Sequence, residues 1–147
     1  GLRIYGYVIM SNHLHLLAQC TGDPSMPEIL RDFKKFTARK IIEWSEKPIE
    51  RRSEWLLYLL QWYGKKSRRK QGHRLWRSDN HPFLVFTPRL IRQKLNYIHQ
   101  NPVKAGIVYR AEDYRYSSAR NYRGWKSPLE VSLLDLGSTE GYIFMGP

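Results

Sequence analysis

Two apolar runs open the chain, residues 2–10 and 13–19, separated by Ser11-Asn12. Both read as strands, and the two-residue break predicts an antiparallel hairpin. Side chains two apart on a strand share a face, so His13 and His15 leave one side together. Leu14 and Leu16 are then expected on the core side. Thr21-Gly22-Asp23-Pro24 breaks the alternation, and Ser25 with Glu28 has the spacing of a capping box, with Pro27 in the first turn. A helix is predicted from there to Pro48, with Ile29, Leu30, Phe33, Phe36, Ile41 and Trp44 turned inward. Its other side carries Arg31, Lys34, Lys35, Arg39 and Lys40. Residues 49–63 predict a shorter second helix and 73–78 a strand. Thr87-Pro88 opens a third helix through about Gln100, with Leu90, Ile91, Leu95 and Ile98 apolar. Asn101-Pro102 is read as its end and Gly106 as the next turn, because a residue before proline leaves the helical region. The remainder, rich in Tyr, Arg and Ser, predicts a short strand and loops.

At 147 residues the chain is sized for one domain with a real core. Twenty-five Lys and Arg against 13 Asp and Glu leave +12, which points to a polyanionic partner, nucleic acid before membrane surface. The run Lys65-Lys66-Ser67-Arg68-Arg69-Lys70 concentrates this charge. It reads either as a solvated loop or as a phosphate contact. With Lys34, Lys35, Arg39, Arg74 and Arg77 it makes up the candidate DNA-binding set. A single cysteine, Cys20, excludes an internal disulfide and a multi-cysteine zinc site. No apolar run approaches the roughly 20 residues that cross a bilayer, and no signal peptide precedes the first strand. A reducing, cytoplasmic setting is expected. A bare His-x-His is a weak metal signal, since histidines so spaced are more often structural or on the surface.

Four segments in order resemble the single-tyrosine HUH transposases, most closely their REP-associated branch. They are Val8 through Leu17, Trp76 through Pro82, Lys94 through Gly106 and Asp113 through Ala119, within residues 1–122. The resemblance implies a bacterial mobile-element enzyme that cleaves and rejoins single-stranded DNA, at hairpin or repeat ends. It implies His13 and His15 as ligands of a divalent metal, Mg²⁺ or Mn²⁺, Tyr97 as nucleophile and Asn101 as third ligand. Positions four apart share a helix face, so Tyr97 and Asn101 would overlook the metal together. Gln100 is a fallback ligand, and His99 points elsewhere. Serine stands at position 11 where the family commonly has proline, a departure in the turn rather than in the chemistry. A tyrosine, with an ordinary pKa of about 10, needs a cation nearby to ionise or to orient the phosphate it attacks.

The implied fold is α+β, a ferredoxin-like antiparallel sheet with helices on one face and the tyrosine helix laid across the histidine strand. In this family a strand preceding Gly1 normally lies beside the histidine strand. Its lack predicts an N-terminally incomplete catalytic domain over 1–122, two open sheet edges, and a C-terminal tail over 123–147. In some relatives the tyrosine helix is exchanged between subunits, which is compatible with a homodimer. Other readings stay open. The chain is a non-catalytic or degenerate DNA-binding relative, or a metal-dependent phosphodiesterase in which water attacks. At the level of single residues, Tyr97 packs in a core and Asn101 merely ends a helix.

Overall fold

The computed structural model describes residues 1–47, 53–67, 72–77, 82–134 and 142–145. They belong to two units, a sheet unit of residues 1–23 with 80–147 and a helical unit of residues 24–79. The fold class is α+β, with a four-stranded antiparallel sheet and three helices, compatible with a ferredoxin-like arrangement.

In the sheet unit, β1 (Leu2–Ile9) and β2 (Leu14–Cys20) form the expected hairpin. Met10 N donates to His13 O at 2.9 Å and closes the turn over Ser11 and Asn12. Strands β3 (Phe83–Val85) and β4 (Tyr142–Met145) complete the order β1-β2-β4-β3. Strand β4 falls in the segment expected to be a tail, and it occupies the place beside β2 that was expected to lack a strand. A short strand was expected after Gly106 but not located; Tyr142, Ile143 and Phe144 are good strand formers, yet four residues carry too little periodicity to place, and pairing on both sides fixes them in the sheet. The other expected open edge is covered too. Ile9 N donates to Tyr116 O, Ser118 N to Tyr7 O and Ser132 N to Ile4 O, each at 2.9 Å, so β1 does not leave its outer backbone groups unpaired.

The third helix, α3 (Pro88–Lys104), begins as predicted. The Thr87 hydroxyl accepts from Leu90 N at 3.3 Å and Pro88 takes the first turn, where its missing N–H costs nothing. Its end differs from expectation, because the helix runs through Asn101-Pro102 to Lys104. The stop is Gly106 at φ 68°, where Gly106 N donates to Val103 O and Ile107 N to Pro102 O, the paired bonds of a Schellman ending. Asn101 is therefore a helical residue one turn beyond Tyr97.

Helix α3 packs on β1 and β2. The core gathers Val8, Met10, Leu17, Val85, Ile91, Ile98, Tyr142 and Phe144, with Tyr5 beside them. Register puts Val8 opposite His15 and Gly6 opposite Leu17, so the histidine face is the face that α3 covers. This corrects the expected division. Leu14 and Leu16 do take the other side, but the larger core lies with the histidines, because the helix sits there. Gly6 allows the close approach, since a Cβ on it would stand 2.6 Å from Leu95 Cδ1. The contacting atom ends a flexible side chain, so a single methyl requires Leu95 to shift, and Gly6→Val is expected to cost about 1–3 kcal/mol through overpacking, read as a lower urea midpoint at unchanged m.

The helical unit holds α1 (Met26–Ser45) and α2 (Ser53–Lys65). Ser25 and Glu28 form the predicted capping box. Met26 and Leu30 are buried, but Phe33, Phe36 and Trp44, expected inward, are exposed. Residues 72–77 form no strand, contrary to expectation. Arg74 N donates to Leu60 O at 2.9 Å, Trp76 Nε1 to Thr37 Oγ1 at 2.9 Å and Lys34 Nζ to Arg77 O at 2.8 Å. The segment is tied to helices instead of to a strand ladder. Ser78, His81, Pro48 and Ile49, which figured in the expected elements, lie outside the described residues. Among those described, no helix is long and apolar enough to cross a membrane.

Candidate metal and nucleophile site

His13, His15, Tyr97 and Asn101 meet in the sheet unit where α3 crosses the start of β2. The strand period supplies the two imidazoles, with ring centroids 5.0 Å apart at 78°. The helix period supplies Tyr97 and Asn101 from successive turns, and the Asn101 amide donates back to Tyr97 O at 3.4 Å. That bond turns Asn101 Oδ1 toward the strand, where it lies 3.2 Å from His13 Nε2. The other ring nitrogen of His13 lies 2.6 Å from Asn12 Oδ1. When Nδ1–H is donated to Asn12, the neutral ring presents a lone pair from Nε2 to the Asn101 oxygen. Two acceptors so placed need a proton or a cation between them.

His15 is 1% exposed, and neither ring nitrogen makes a well-formed hydrogen bond among the described residues, the Met145 backbone offering only a weak one. Its ring stacks on Phe144, centroids 5.9 Å apart at 20°, and meets Tyr97 edge-on at 5.1 Å. Burial, with the neighbouring His13 and Lys94 adding to it and the Met145 backbone opposing, lowers the His15 pKa to about 4. The imidazole is neutral at pH 7, the form that binds a metal.

A divalent cation fits this donor set: a buried imidazole stands beside a second imidazole nitrogen and an amide oxygen 3.2 Å apart, a pair that a proton on Nε2 or a cation can bridge. Donors about 2.1 Å from one ion and at right angles are about 3.0 Å apart, close to that separation. No group of three His, Cys, Asp or Glu able to hold a metal occurs among the described residues. The donors here are two imidazoles and an amide, a set that leaves room for substrate oxygens and does not close around the ion.

The Tyr97 side chain is 40% exposed, and its hydroxyl has no hydrogen bond among the described residues. Two lysines share its helix, neither singled out from the sequence. Lys104 Nζ lies 5.4 Å from the Tyr97 ring centroid, and Lys94 Nζ lies 4.7 Å from that of Phe144 and 4.5 Å from that of Phe83. The helical period contained this signal, since Lys94, Tyr97, Asn101 and Lys104 are three, four and three apart. Phe144 carried none, because its place against His15 depends on β4 register.

The remaining expected residues lie elsewhere. His99 does point away, with Nε2 2.9 Å from Ser118 Oγ, and burial lowers its pKa to about 4. The candidate DNA-binding set belongs to the helical unit. Lys35 and Arg39 are exposed on α1, Lys65 and Lys66 stand at the end of α2, and Lys34 and Arg74 are partly engaged with residues 76–77. Arg77 is exposed. Arg68, Arg69 and Lys70 are outside the described residues. No protein-family model, curated protein or solved structure matches this chain.

Proposed function

We propose that the chain is a single-tyrosine strand transferase of the HUH type, acting on single-stranded DNA with hairpin or repeat ends. The observation that carries this reading is the convergence of His13, His15 and Asn101 beside an exposed Tyr97, with Lys104 Nζ 5.4 Å from the Tyr97 ring centroid. In this reading the Tyr97 phenol gives up its proton and its oxygen bonds to phosphorus. The bond to the 3′-oxygen breaks, and that oxygen takes up a proton. The product is a 5′-phosphotyrosine with a free 3′-hydroxyl, and attack by a 3′-hydroxyl reverses the step without a nucleotide cofactor. His13, His15 and Asn101 would hold Mg²⁺ or Mn²⁺, which when bound neutralises phosphate charge. Lys94 and Lys104 add positive potential beside the nucleophile. Phe144 holds His15 in one plane, and the Asn101–Tyr97 backbone bond keeps the amide oxygen turned to the strand.

The test is incubation of end-labelled single-stranded DNA hairpins with the protein and Mg²⁺ or Mn²⁺. A labelled band that migrates with the protein under denaturing conditions, absent with EDTA, supports the reading. Cleavage with no such band assigns the attack to water. Salt-sensitive binding without cleavage assigns the chain to non-catalytic DNA-binding relatives. His13→Ala is expected to weaken Mn²⁺ binding at least about 10-fold by titration calorimetry, with the fold unchanged by circular dichroism.

A further inference from the structure

The helical unit carries a surface that the His–Tyr centre does not use. Trp55, Tyr58 and Trp62 recur at three- and four-residue spacing on α2, a single stripe along the helix. The first two are 63% and 64% exposed and Trp62 is 40% exposed. Scattered exposed aromatics are ordinary, but consecutive turns of one helix presenting Trp, Tyr and Trp make a continuous apolar face that water disfavours. The stripe runs into Lys65 and Lys66, and Lys66 Nζ lies 3.8 Å from the Trp62 ring centroid. The unit is also where the charge resides. Residues 24–79 hold 15 Lys and Arg against 7 Asp and Glu, +8 of the chain's +12.

We propose that the α2 stripe of Trp55, Tyr58 and Trp62, ending in Lys65 and Lys66, is a stacking platform for single-stranded nucleic acid. Charge decides the occupant. A second copy of a unit with +8 would be repelled, whereas a polyanion is attracted and offers flat apolar faces to the rings. Helical rise places the three positions about 4.5 and 6 Å apart along the axis, wider than the roughly 3.4 Å of stacked bases in a duplex. The rings therefore suit bases already unstacked, with Lys65 and Lys66 meeting phosphates at one end. The platform residues belong to the helical unit, none is part of the metal and nucleophile site, and binding there does not require that site.

The test measures binding of a fluorescent oligothymidine of about 20 nucleotides by anisotropy, without divalent metal, across a salt series. W55A/Y58A is expected to lose about 10- to 100-fold in affinity with its salt slope unchanged, because stacking releases no counterions. W55F/Y58F, which keeps the rings, is expected to retain most of the binding. K65A/K66A is expected to flatten the slope by about 1.4, or 0.7 per phosphate contact. Equal affinity of wild type and W55A/Y58A overturns the proposal. So does a wild-type dimer that W55A/Y58A abolishes in sedimentation while oligothymidine affinity stays unchanged, which would assign the stripe to self-association. Oligothymidine binding is read without metal and the covalent product on a denaturing gel with metal, so failure of the strand-transferase reading and failure of the platform are read separately.

Discussion

Tyr97→Phe is expected to abolish the covalent protein–DNA product and to slow strand cleavage by about 10³-fold or more, while leaving the fold in place. The substitution removes one oxygen and keeps the ring. That ring makes the edge contact with His15 at 5.1 Å and with Phe144 at 6.2 Å, and both survive. The lost hydroxyl has no hydrogen-bond partner among the described residues, so stability should change by no more than about 0.5 kcal/mol. Metal affinity should likewise persist, because His13, His15 and Asn101 are untouched. The informative readouts are the denaturing gel and the urea midpoint taken together. Cleavage undiminished in the phenylalanine variant would remove Tyr97 from the chemistry and leave attack by water. A collapsed midpoint would give Tyr97 a structural role instead.

Acid is expected to destabilise the protein well before its carboxylates titrate. His15 and His99 both have folded pKa values of about 4, chiefly through burial, against about 6.5 when exposed. Between these values the unfolded chain binds protons that the folded chain refuses, so stability falls as pH falls. Above about pH 7 neither histidine contributes a slope. From pH 6.5 downward each contributes roughly 1.4 kcal/mol per pH unit, levelling off near pH 4, for a loss on the order of 3 kcal/mol apiece. Urea midpoints at pH 7.0, 6.0 and 5.0 would show this, a window in which most carboxylates remain ionised. His99→Gln should remove about half of the slope. Added Mn²⁺ should raise stability near pH 7 and make the decline steeper, since a metal binds only the neutral imidazole of His15. Midpoints that stay flat from pH 7 to 5 would show that these imidazoles protonate freely in the folded state.

Legibility followed the range of the forces. The hairpin, the capping box at Ser25 and the start of α3 at Thr87-Pro88 were readable because each depends on residues within a few positions of one another. The stop of α3 was misread because Asn101-Pro102 is a local signal against helix. Burial of Pro102 and the ending at Gly106 overrode it, and that extra turn keeps Asn101 at helical spacing from Tyr97. The outward faces of Phe33, Phe36 and Trp44 were misread for the opposite reason. Helical periodicity marks an apolar stripe, but it does not say whether a partner is present to cover it.

The opening His13-Leu14-His15 contained, by strand geometry alone, the fact that the two imidazoles share a face. Helix geometry puts Tyr97 and Asn101 on one side only if the helix continues through Asn101-Pro102, which the local signal spoke against. Charge pointed to a polyanion from composition, with no structure needed. Only the tertiary structure decided that these two faces meet, with His13 Nε2 and Asn101 Oδ1 brought to 3.2 Å across 88 residues of chain. It also decided that β4 stands beside the histidine strand, putting Phe144 against His15. Such contacts depend on strand register and on the close fit of α3 over Gly6. They are set by packing between distant segments, which no local pattern of residues records.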